Sequence, residues 1–206
     1  MHRSGTSFLA QVLQCAGLFM GVFKDHHYEA VHFMALNQQC LAAQQASWLH
    51  PVAVPAATRV SLSANELYRE HFQVNTRLQQ WQLAWQNPAW GWKDPRNTFT
   101  LPVWLRVFPQ ARVIHLIRDA EEVANSLQKR NGKAGEGYYP ELDDRHFCLE
   151  LTQKYQSQGK SYAADLGGRY LEINYSALYH QEPLALQQME QFTGKALQPI
   201  IKKLRR

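Results

Sequence analysis

Length, composition and charge limit the kinds of protein that this chain can be. It has 206 residues, 45% of them hydrophobic, and 22 basic residues against 17 acidic ones give a net charge of +5. This size and apolar content predict one globular domain with a substantial core and exclude a disordered chain. The modest positive charge suits an anionic ligand, but it is too dispersed along the chain to indicate nucleic acid as a partner.

The cysteines and the hydropathy of the chain bear on metals, membranes and the cell compartment. Cys15, Cys40 and Cys148 share no short spacing typical of metal ligands, so they predict reduced core thiols and no metal site. The sequence has no run of about 18 apolar residues and no signal-peptide pattern. We therefore expect a cytoplasmic protein without a membrane span. The oligomeric state stays open.

The first residues of the chain have the composition of an anion-binding loop. Residues 2–7 combine one cation, one glycine and three hydroxyls, and they run directly into a helix predicted over 6–16. The glycine permits close approach of the backbone to a ligand, and the helix start favours a phosphate or sulfate. The alternative is that the hydroxyls only cap the helix. The candidate binding residues of this loop are Arg3, Ser4, Gly5, Thr6 and Ser7.

A polar loop over residues 21–29 holds the candidate acid and base groups. It contains His26, His27 and Glu29, and a helix is predicted to follow over 28–47. The structural alternative is that the histidines are solvated and that the glutamate only stabilises the helix N-terminus. The sequence leaves both interpretations open.

A capping box predicts a long helix in the middle of the chain. Glu66 lies three residues after Ser63, which indicates a helix start, and the apolar pattern continues to residue 86. The aromatic residues of this helix, Trp81 and Trp85 among them, predict either a cover over the substrate side or an ordinary core stripe.

The second half of the chain predicts a parallel sheet. A short aromatic strand over 90–92 is followed by Lys93, and such a position at the carboxyl end of a strand is where ligands bind in open α/β sheets. An ion pair between Asp94 and Arg96 is the structural alternative. Residues 111–119 form the clearest buried strand, with His115 as a core histidine. Further predictions are helices over 98–108, 120–130, 143–163 and 183–192, a strand over 169–173 and a mobile loop over 132–137.

Three of these stretches, in this order, resemble the sulfotransferase family that uses 3′-phosphoadenosine 5′-phosphosulfate (PAPS), in particular its bacterial and Golgi-type branch. They are residues 2–7, residues 93–96, and residues 108–119 with Ser126 beyond. Residues 173–178 and 192–194 are similar to the tyrosine-containing turn and the Phe-x-Gly of that family. The resemblance covers nearly the whole chain apart from a first strand.

The resemblance implies a fold and an activity. The expected fold class is α/β, a three-layer P-loop-like parallel sheet flanked by helices, with the N-terminal strand missing from the chain. Residues 1–206 are expected to form a single, N-terminally truncated sulfotransferase-like domain. The implied reaction transfers a sulfuryl group from PAPS to a hydroxyl or amine of a carbohydrate, lipid or small-molecule acceptor, without a metal.

The resemblance also implies site residues. Residues 3–7 would hold the 5′-phosphosulfate, Arg118 and Ser126 would bind the 3′-phosphate, and Tyr175 would border the adenine. Glu29 matches the base that deprotonates the acceptor, although three nearby histidines compete for that role. The implied cations that neutralise the leaving oxygen are Arg3 and Lys93, and the competing histidines are His26, His27 and His32.

Two other interpretations remain at the level of sequence. A P-loop kinase-like enzyme is disfavoured because the pattern Gly-x-x-x-x-Gly-Lys-Ser/Thr is absent. A truncated, non-catalytic nucleotide-binding remnant gains weight from the missing strand. The alternative is a start assigned too late, with Met1 an internal residue of the loop; a chain that truly lacks the strand is expected to fold weakly and to have little activity.

Overall fold

The structure is a computed structural model that describes residues 1–86, 88–133 and 137–205. It confirms the α/β class, because a small parallel sheet is flanked by helices. The strands are β1 (Val113–Ile117) and β2 (Tyr170–Asn174). The helices are α1 (Thr6–Cys15), α2 (Val31–Ala42), α3 (Ala64–Phe72), α4 (Arg77–Gln86), α5 (Asn97–Val107), α6 (Ala120–Arg130), α7 (Arg145–Lys160), α8 (Ala163–Leu166), α9 (Tyr175–Tyr179), α10 (Pro183–Thr193) and α11 (Gln198–Leu204), with short 3₁₀ turns at Pro140–Asp143 and Gly167–Arg169.

The chain divides into two compact units. Unit 1 contains Met1–Thr6 and Arg112–Phe192, and unit 2 contains Ser7–Ala111 and the residues from Thr193 onward. Unit 1 therefore joins the first six residues of the chain to a segment that begins more than 100 residues later.

The sheet of unit 1 is a parallel pair in register. β1 and β2 pair from Val113 with Tyr170 through to Ile117 with Asn174. Their β-branched and apolar residues suit extended backbone, and Leu116 and Ile173 are buried. α6 and α7 lie between the two strands in the chain and pack against each other, and α7 also packs against β1. Such a long helical crossover is what a parallel pair requires.

His115 on β1 is a hydrogen-bonded, nearly buried side chain, as the sequence predicts. Its Nδ1 lies 2.7 Å from the hydroxyl of Tyr170. Gly159 on α7 makes room for the ring, since a Cβ there would lie 2.5 Å from His115 Nε2. Burial lowers the pKa of His115 to about 4, and the nearby Glu172 carboxylate opposes this shift only in part.

The core of unit 2 is built on the packing of α2 against α5 and is rich in aromatic residues. The ring of Phe33 on α2 stacks on Trp92 with 4.0 Å between centroids and meets Trp104 of α5 edge-on at 5.2 Å. Such aromatic contacts add to the apolar area that they bury. The buried members of this cluster are Ala30, Phe33, Leu36, Leu67 and Trp104.

The strand predicted over residues 90–92 is wrong in the part of the chain that the structure describes. Trp90 forms a single parallel bridge to Phe19 instead of a ladder. Pro88 and Pro95 flank this stretch, and a proline has no N–H to donate to a ladder. The segment is held by its tryptophan rings in the aromatic core more than by backbone pairing.

The helix predicted over 28–47 is shorter than expected at both ends. Tyr28 has a left-handed backbone with φ of 64°, and the Asp25 carboxylate accepts hydrogen bonds from the N–H groups of His27 and Glu29 at 2.9 and 2.8 Å. This local turn competes with helical backbone bonds, so α2 begins only at Val31. At the other end, Gln45 is also left-handed, with φ of 54°.

The helix predicted over 63–86 is two helices. The capping box at its start is confirmed, because Ser63 and Glu66 exchange hydrogen bonds in both directions. However, Gln73 adopts a left-handed conformation with φ of 52° and ends α3. The Thr76 hydroxyl then accepts from the Gln79 N–H and caps α4. The helix therefore ends at this junction and a new helix begins after it.

The core interpretation of the aromatic stripe is wrong for α4. Leu67 on α3 is fully buried, but Trp81 and Trp85 on α4 are 78% and 91% exposed. The break at Gln73 separates the two helices, so the apolar face of α3 no longer predicts burial for α4.

Three other predictions have mixed outcomes. Cys40 and Cys148 are buried free thiols, as predicted, whereas Cys15 is exposed, so its assignment to the core is wrong.

The predicted mobile loop falls in part outside the described residues, since 134–136 are not among them. Within the described ranges, no helix is long and apolar enough to cross a membrane.

Candidate functional site

The first six residues form a tight loop within unit 1. Arg3 and Gly5 both have positive φ, of 64° and 87°. Ser4 is buried, and its hydroxyl donates to the Met1 carbonyl oxygen. Thr6 is the first residue of α1, so the loop ends where a helix N-terminus begins. Left-handed backbone is costly for a non-glycine residue, which marks Arg3 as a position held by its surroundings.

Tyr175, the first residue of α9, packs directly against the glycine of this loop. A Cβ built on Gly5 would lie 2.1 Å from Tyr175 Cδ2, far inside any real contact. Gly5 is therefore required twice, for its backbone conformation and for the space that the tyrosine ring occupies. The same ring lies 5.1 Å from the guanidinium carbon of Arg118, in cation–π geometry.

Arg118 follows β1 directly and is held from several sides. Its Nε donates to Glu122 Oε2 at 2.7 Å, and its Nη1 donates to the Arg3 carbonyl oxygen at 3.2 Å. Its own carbonyl oxygen accepts from the Gln156 amide at 2.6 Å. A guanidinium has five N–H groups, and the two side-chain contacts use two of them. The fork of Arg118 can thus also bind an anion.

Ser126 on α6 contacts the loop at the start of the chain. Arg3 Nε donates to Ser126 Oγ at 2.9 Å, although 123 positions separate the two residues. Ser126 lies one helical turn after Glu122 on α6, and the helix is capped at its start by the Asp119 carboxylate. Unit 1 therefore brings two guanidinium groups and one hydroxyl next to a left-handed loop.

This arrangement in unit 1 fits a phosphate or sulfate chemically. Among the described contacts, the guanidinium groups of Arg3 and Arg118 pair with one carboxylate, that of Glu122, which leaves an excess of positive charge for an anion. Arginine forks bind phosphate oxygens in pairs, and a serine hydroxyl adds a neutral donor. We call the set of Arg3, Gly5, Arg118, Ser126 and Tyr175 the loop cluster.

Unit 2 contains a second, separate group of charged residues around Glu29. The Lys93 ammonium lies 3.0 Å from Glu29 Oε1, and Arg96 Nη2 lies 2.5 Å from Glu29 Oε2. Arg96 also donates from Nε to Asp94 Oδ1 at 2.8 Å. Two cations and two carboxylates thus balance in a nearly buried network, and the Asp94–Arg96 ion pair is present. We call these four residues the Glu29 network.

Asn37 on α2 supports the Glu29 network from inside the core. Its amide nitrogen donates to Asp94 Oδ2 at 2.9 Å, and its amide oxygen accepts from Thr100 Oγ1 at 2.6 Å and from Trp104 Nε1 at 2.8 Å. Burial raises the pKa of Asp94, and the neighbouring Glu29 adds to this effect, whereas the Arg96 charge and the Asn37 hydrogen bond oppose it.

The other predicted residues of unit 2 lie in or near the loop before Glu29. The Ser7 hydroxyl donates to the His27 carbonyl oxygen at 2.9 Å, so this hydroxyl already has a protein partner. The rings of His26 and His27 lie 3.9 Å apart. His32 is on α2 beside Phe33, and burial lowers its pKa.

Sequence reasoning missed Glu122 and Asn37. Glu122 lies four positions after Arg118, which is a spacing at which opposite charges often pair, so this signal was available. Asn37 gave no comparable signal, because a single buried amide within a helix is indistinguishable in sequence from an exposed one.

The described residues give no geometric support for a metal centre. Across 1–86, 88–133 and 137–205, no group of three or more His, Cys, Asp or Glu side chains is placed to hold a metal ion.

Comparison with known proteins gives one family. The family model described as "Sulfotransferase family" matches residues 1–199, which is nearly the whole chain and includes the loop cluster and the Glu29 network. No curated protein and no solved structure matches the chain. A match of this extent establishes membership, and it agrees with the α/β fold and with the motif order at residues 2–7, 93–96 and 108–126. The chain belongs to the sulfotransferase family.

Proposed function

We propose that this chain is a sulfotransferase that takes its sulfuryl group from PAPS. The observation that carries the proposal is the direct contact among the loop cluster residues. Arg3 reaches Ser126 at 2.9 Å, and Arg118 donates to the Arg3 carbonyl oxygen at 3.2 Å. These residues are far apart in the chain but lie close together beside the start of a helix. They therefore provide charged donors where the phosphates of a nucleotide can bind.

The loop cluster has the groups that such a donor needs. PAPS, when bound, supplies an activated sulfuryl group and leaves as 3′-phosphoadenosine 5′-phosphate. Arg3, Arg118 and Ser126 bind phosphate oxygens, and Gly5 keeps the loop backbone close to the ligand. Tyr175 holds the loop and Arg118 in place, and it is the residue that we propose to border the adenine.

The Glu29 network is the proposed source of the base. Glu29 accepts the proton of an acceptor hydroxyl or amine in this proposal, and Lys93 supplies a cation for the leaving oxygen. Both carboxylate oxygens of Glu29 already accept from a cation. Because an ionised carboxylate has about four acceptor sites, these two bonds leave capacity for an acceptor hydroxyl. General base catalysis of this kind contributes about 10² to 10⁴ in rate.

The remaining parts of the proposal are the acceptor, the domain and the compartment. The acceptor is a hydroxyl or amine of a carbohydrate, lipid or small molecule. The family match spans residues of both compact units, which supports one sulfotransferase domain over 1–206. The buried free thiols of Cys40 and Cys148 support a reducing compartment such as the cytoplasm.

Calorimetric titration with 3′-phosphoadenosine 5′-phosphate tests the donor proposal. We expect micromolar binding by the wild-type chain and a loss of about 10- to 100-fold in affinity for Arg118→Ala, because a charged hydrogen bond to phosphate is removed. ATP with magnesium is the competitor, and it should not match this affinity.

The matched control for this titration is Arg145→Ala. Arg145 lies on α7 in the same unit, is 53% exposed and pairs with Glu121 on the surface. This variant removes the same charge and should bind like the wild-type chain. Equal binding of ATP, or equal losses in both arginine variants, would contradict the donor proposal.

The same preparation tests the base. Glu29→Gln should keep its affinity for 3′-phosphoadenosine 5′-phosphate and lose about 10² to 10⁴ in turnover with any acceptor that the wild-type chain sulfates. Unchanged turnover would remove Glu29 from the mechanism.

A further inference from the structure

Residues 23–31 form a short antiparallel turn in unit 2. Lys24 and Ala30 make an antiparallel bridge, and the Val31 N–H donates to the Phe23 carbonyl oxygen at 3.1 Å. The backbone of the two arms is therefore extended around this bridge, and its pairing decides which side chains share a face of the turn.

The two faces of this turn have different surroundings. Side chains alternate between the faces of extended backbone, so Phe23, Glu29 and Val31 lie on one face. Lys24 and Ala30 lie on the other, where Ala30 is fully buried in the aromatic core. Glu29 is nearly buried, whereas Phe23 is 60% and Val31 41% exposed. The exposed part of the face that carries the proposed base is therefore apolar.

The nearest charged groups of the turn have protein partners. The Asp25 carboxylate accepts from two backbone N–H groups of the turn at 2.9 and 2.8 Å. The Lys24 ammonium donates to the Gly21 carbonyl oxygen. Because these charges are engaged, the two exposed side chains offer contact to an apolar group, and a charged or polyhydroxyl group would lose its hydration there without compensation.

We propose that the acceptor is an alcohol with an apolar chain, and that this chain lies on the surface formed by Phe23 and Val31 while its hydroxyl reaches Glu29. The inference rests on the proposed function, because it names the acceptor class for the same base. Glu29 and Val31 are two positions apart in extended backbone, which is about 6 to 7 Å, so a short alkyl chain spans both.

The transfer to such an alcohol is balanced. The alcohol oxygen forms a bond to sulfur, the bond between sulfur and the 5′-phosphate oxygen breaks, and the alcohol proton passes to Glu29. The products are an alkyl sulfate and 3′-phosphoadenosine 5′-phosphate.

A series of primary alcohols from ethanol to hexanol tests the inference. Full burial of one methylene is worth about fourfold in affinity, and an open surface that covers one side of the chain should give about twofold. With PAPS as donor, kcat/KM of the wild-type chain should therefore rise about 16-fold over the four added methylenes. The variant that carries both Phe23→Ser and Val31→Thr should show almost no dependence on chain length.

The matched control carries Leu78→Ser and Val52→Thr. Both residues lie in unit 2 and are exposed apolar side chains, at 69% and 43%. This variant should keep the dependence of the wild-type chain. Thermal unfolding of both double variants checks that the exposed side chains can be replaced without loss of the fold.

Methyl NMR of Val31 gives a readout that needs neither PAPS nor turnover. Hexanol should shift the Val31 methyl signals with an affinity about 16-fold higher than that of ethanol. Glu29→Gln should leave this shift unchanged, because the apolar chain and not the base makes the contact. No shift at Val31 would overturn the inference whatever the transfer assay shows.

The outcomes separate this inference from the proposed function. Equal dependence on chain length in the wild-type chain and in the Phe23 and Val31 double variant would overturn the inference. Faster transfer to methyl glucoside than to hexanol would overturn it in favour of a carbohydrate acceptor. Binding of hexanol at Val31 without transfer to any of these acceptors would support the apolar surface and contradict the sulfotransferase proposal instead.

Discussion

At the scale of single residues, Gly5 shows how a loop with a chemical role depends on one missing methyl group. Its φ is 87°, and the Tyr175 ring occupies the space that a side chain would need. The tyrosine is 170 positions away, so no local sequence pattern predicts this contact. The glycine itself was predictable from the loop composition, whereas its partner became visible only in three dimensions.

Gly5→Ala should therefore lose nucleotide binding. The new Cβ would meet Tyr175 Cδ2 at 2.1 Å, and the left-handed backbone adds strain of about 1 to 3 kcal/mol. We expect a lower melting temperature and at least a tenfold loss of affinity for 3′-phosphoadenosine 5′-phosphate. Gly168→Ala is the matched control, because no atom lies within 4 Å of its Cβ position. Equal behaviour of the two variants would show that the Tyr175 contact is unimportant.

At the scale of elements, one amide joins α2 to α5 and to the Glu29 network. Asn37 uses both ends of its side chain, with donors directed to Asp94 and Asn97 and an acceptor shared by Thr100 and Trp104. Its removal leaves several buried polar groups without this partner, and each such group costs about 1 to 3 kcal/mol.

Asn37→Ala should destabilise unit 2 more than the small number of removed atoms suggests. We expect a decrease of about 2 to 4 kcal/mol in the free energy of unfolding, measured by urea denaturation, because the orphaned groups add to the cavity. Gln38→Ala, next in the chain and exposed, should change it by less than about 0.5 kcal/mol. A similar small change for both variants would mean that water replaces the amide without cost.

The elements that the sequence predicted best are those with a continuous apolar pattern and ordinary backbone. α1, α5, α6 and both strands lie within two residues of their expected bounds, because their apolar residues form a recognisable pattern in the sequence. Two wrong helix bounds, at the start of α2 and between α3 and α4, occur where Tyr28 and Gln73 adopt left-handed backbone, which neither residue type predicts.

The site shows the same division between local and distant information. The loop glycine, the strand-end arginine and the helix serine were all identifiable from their motifs. The contact between Arg3 and Ser126 and the pairing of Lys93 with Glu29 were not, because they depend on how segments more than 60 residues apart meet.

At the scale of the whole molecule, buried imidazoles make stability depend on pH. Burial lowers the pKa of His71 to about 4, and the charges of His32 and Lys24 act in the same direction. The neutral ring is thus favoured in the folded state. His115 in the other unit is shifted in the same direction by burial. The contribution of these two neutral rings to the free energy of unfolding is fully present at a pH above the ordinary histidine pKa of about 6.5. It is lost as the pH falls from there towards 4.

For His71 alone, the shift corresponds to about 3 kcal/mol of stability lost across this range. We expect the free energy of unfolding to fall between pH 6.5 and 4, and His71→Phe, which fits among the surrounding aromatic rings, should show a clearly shallower slope. The control is Gln38→Ala at an exposed position, which removes no titratable group, so its slope should equal that of the wild-type chain. A slope in His71→Phe as steep as in the wild-type chain would contradict the assignment.

The composition of unit 1 has a consequence for the order in which the molecule matures. Met1–Thr6 belongs with Arg112–Phe192, so the loop is synthesised more than 100 residues before its partners. During that interval the loop has neither Arg118 nor Tyr175 to hold it. Nucleotide affinity should consequently arise late in translation, and ribosome-bound chains that end before residue 175 should bind no nucleotide even though Ser7–Ala111 is already synthesised.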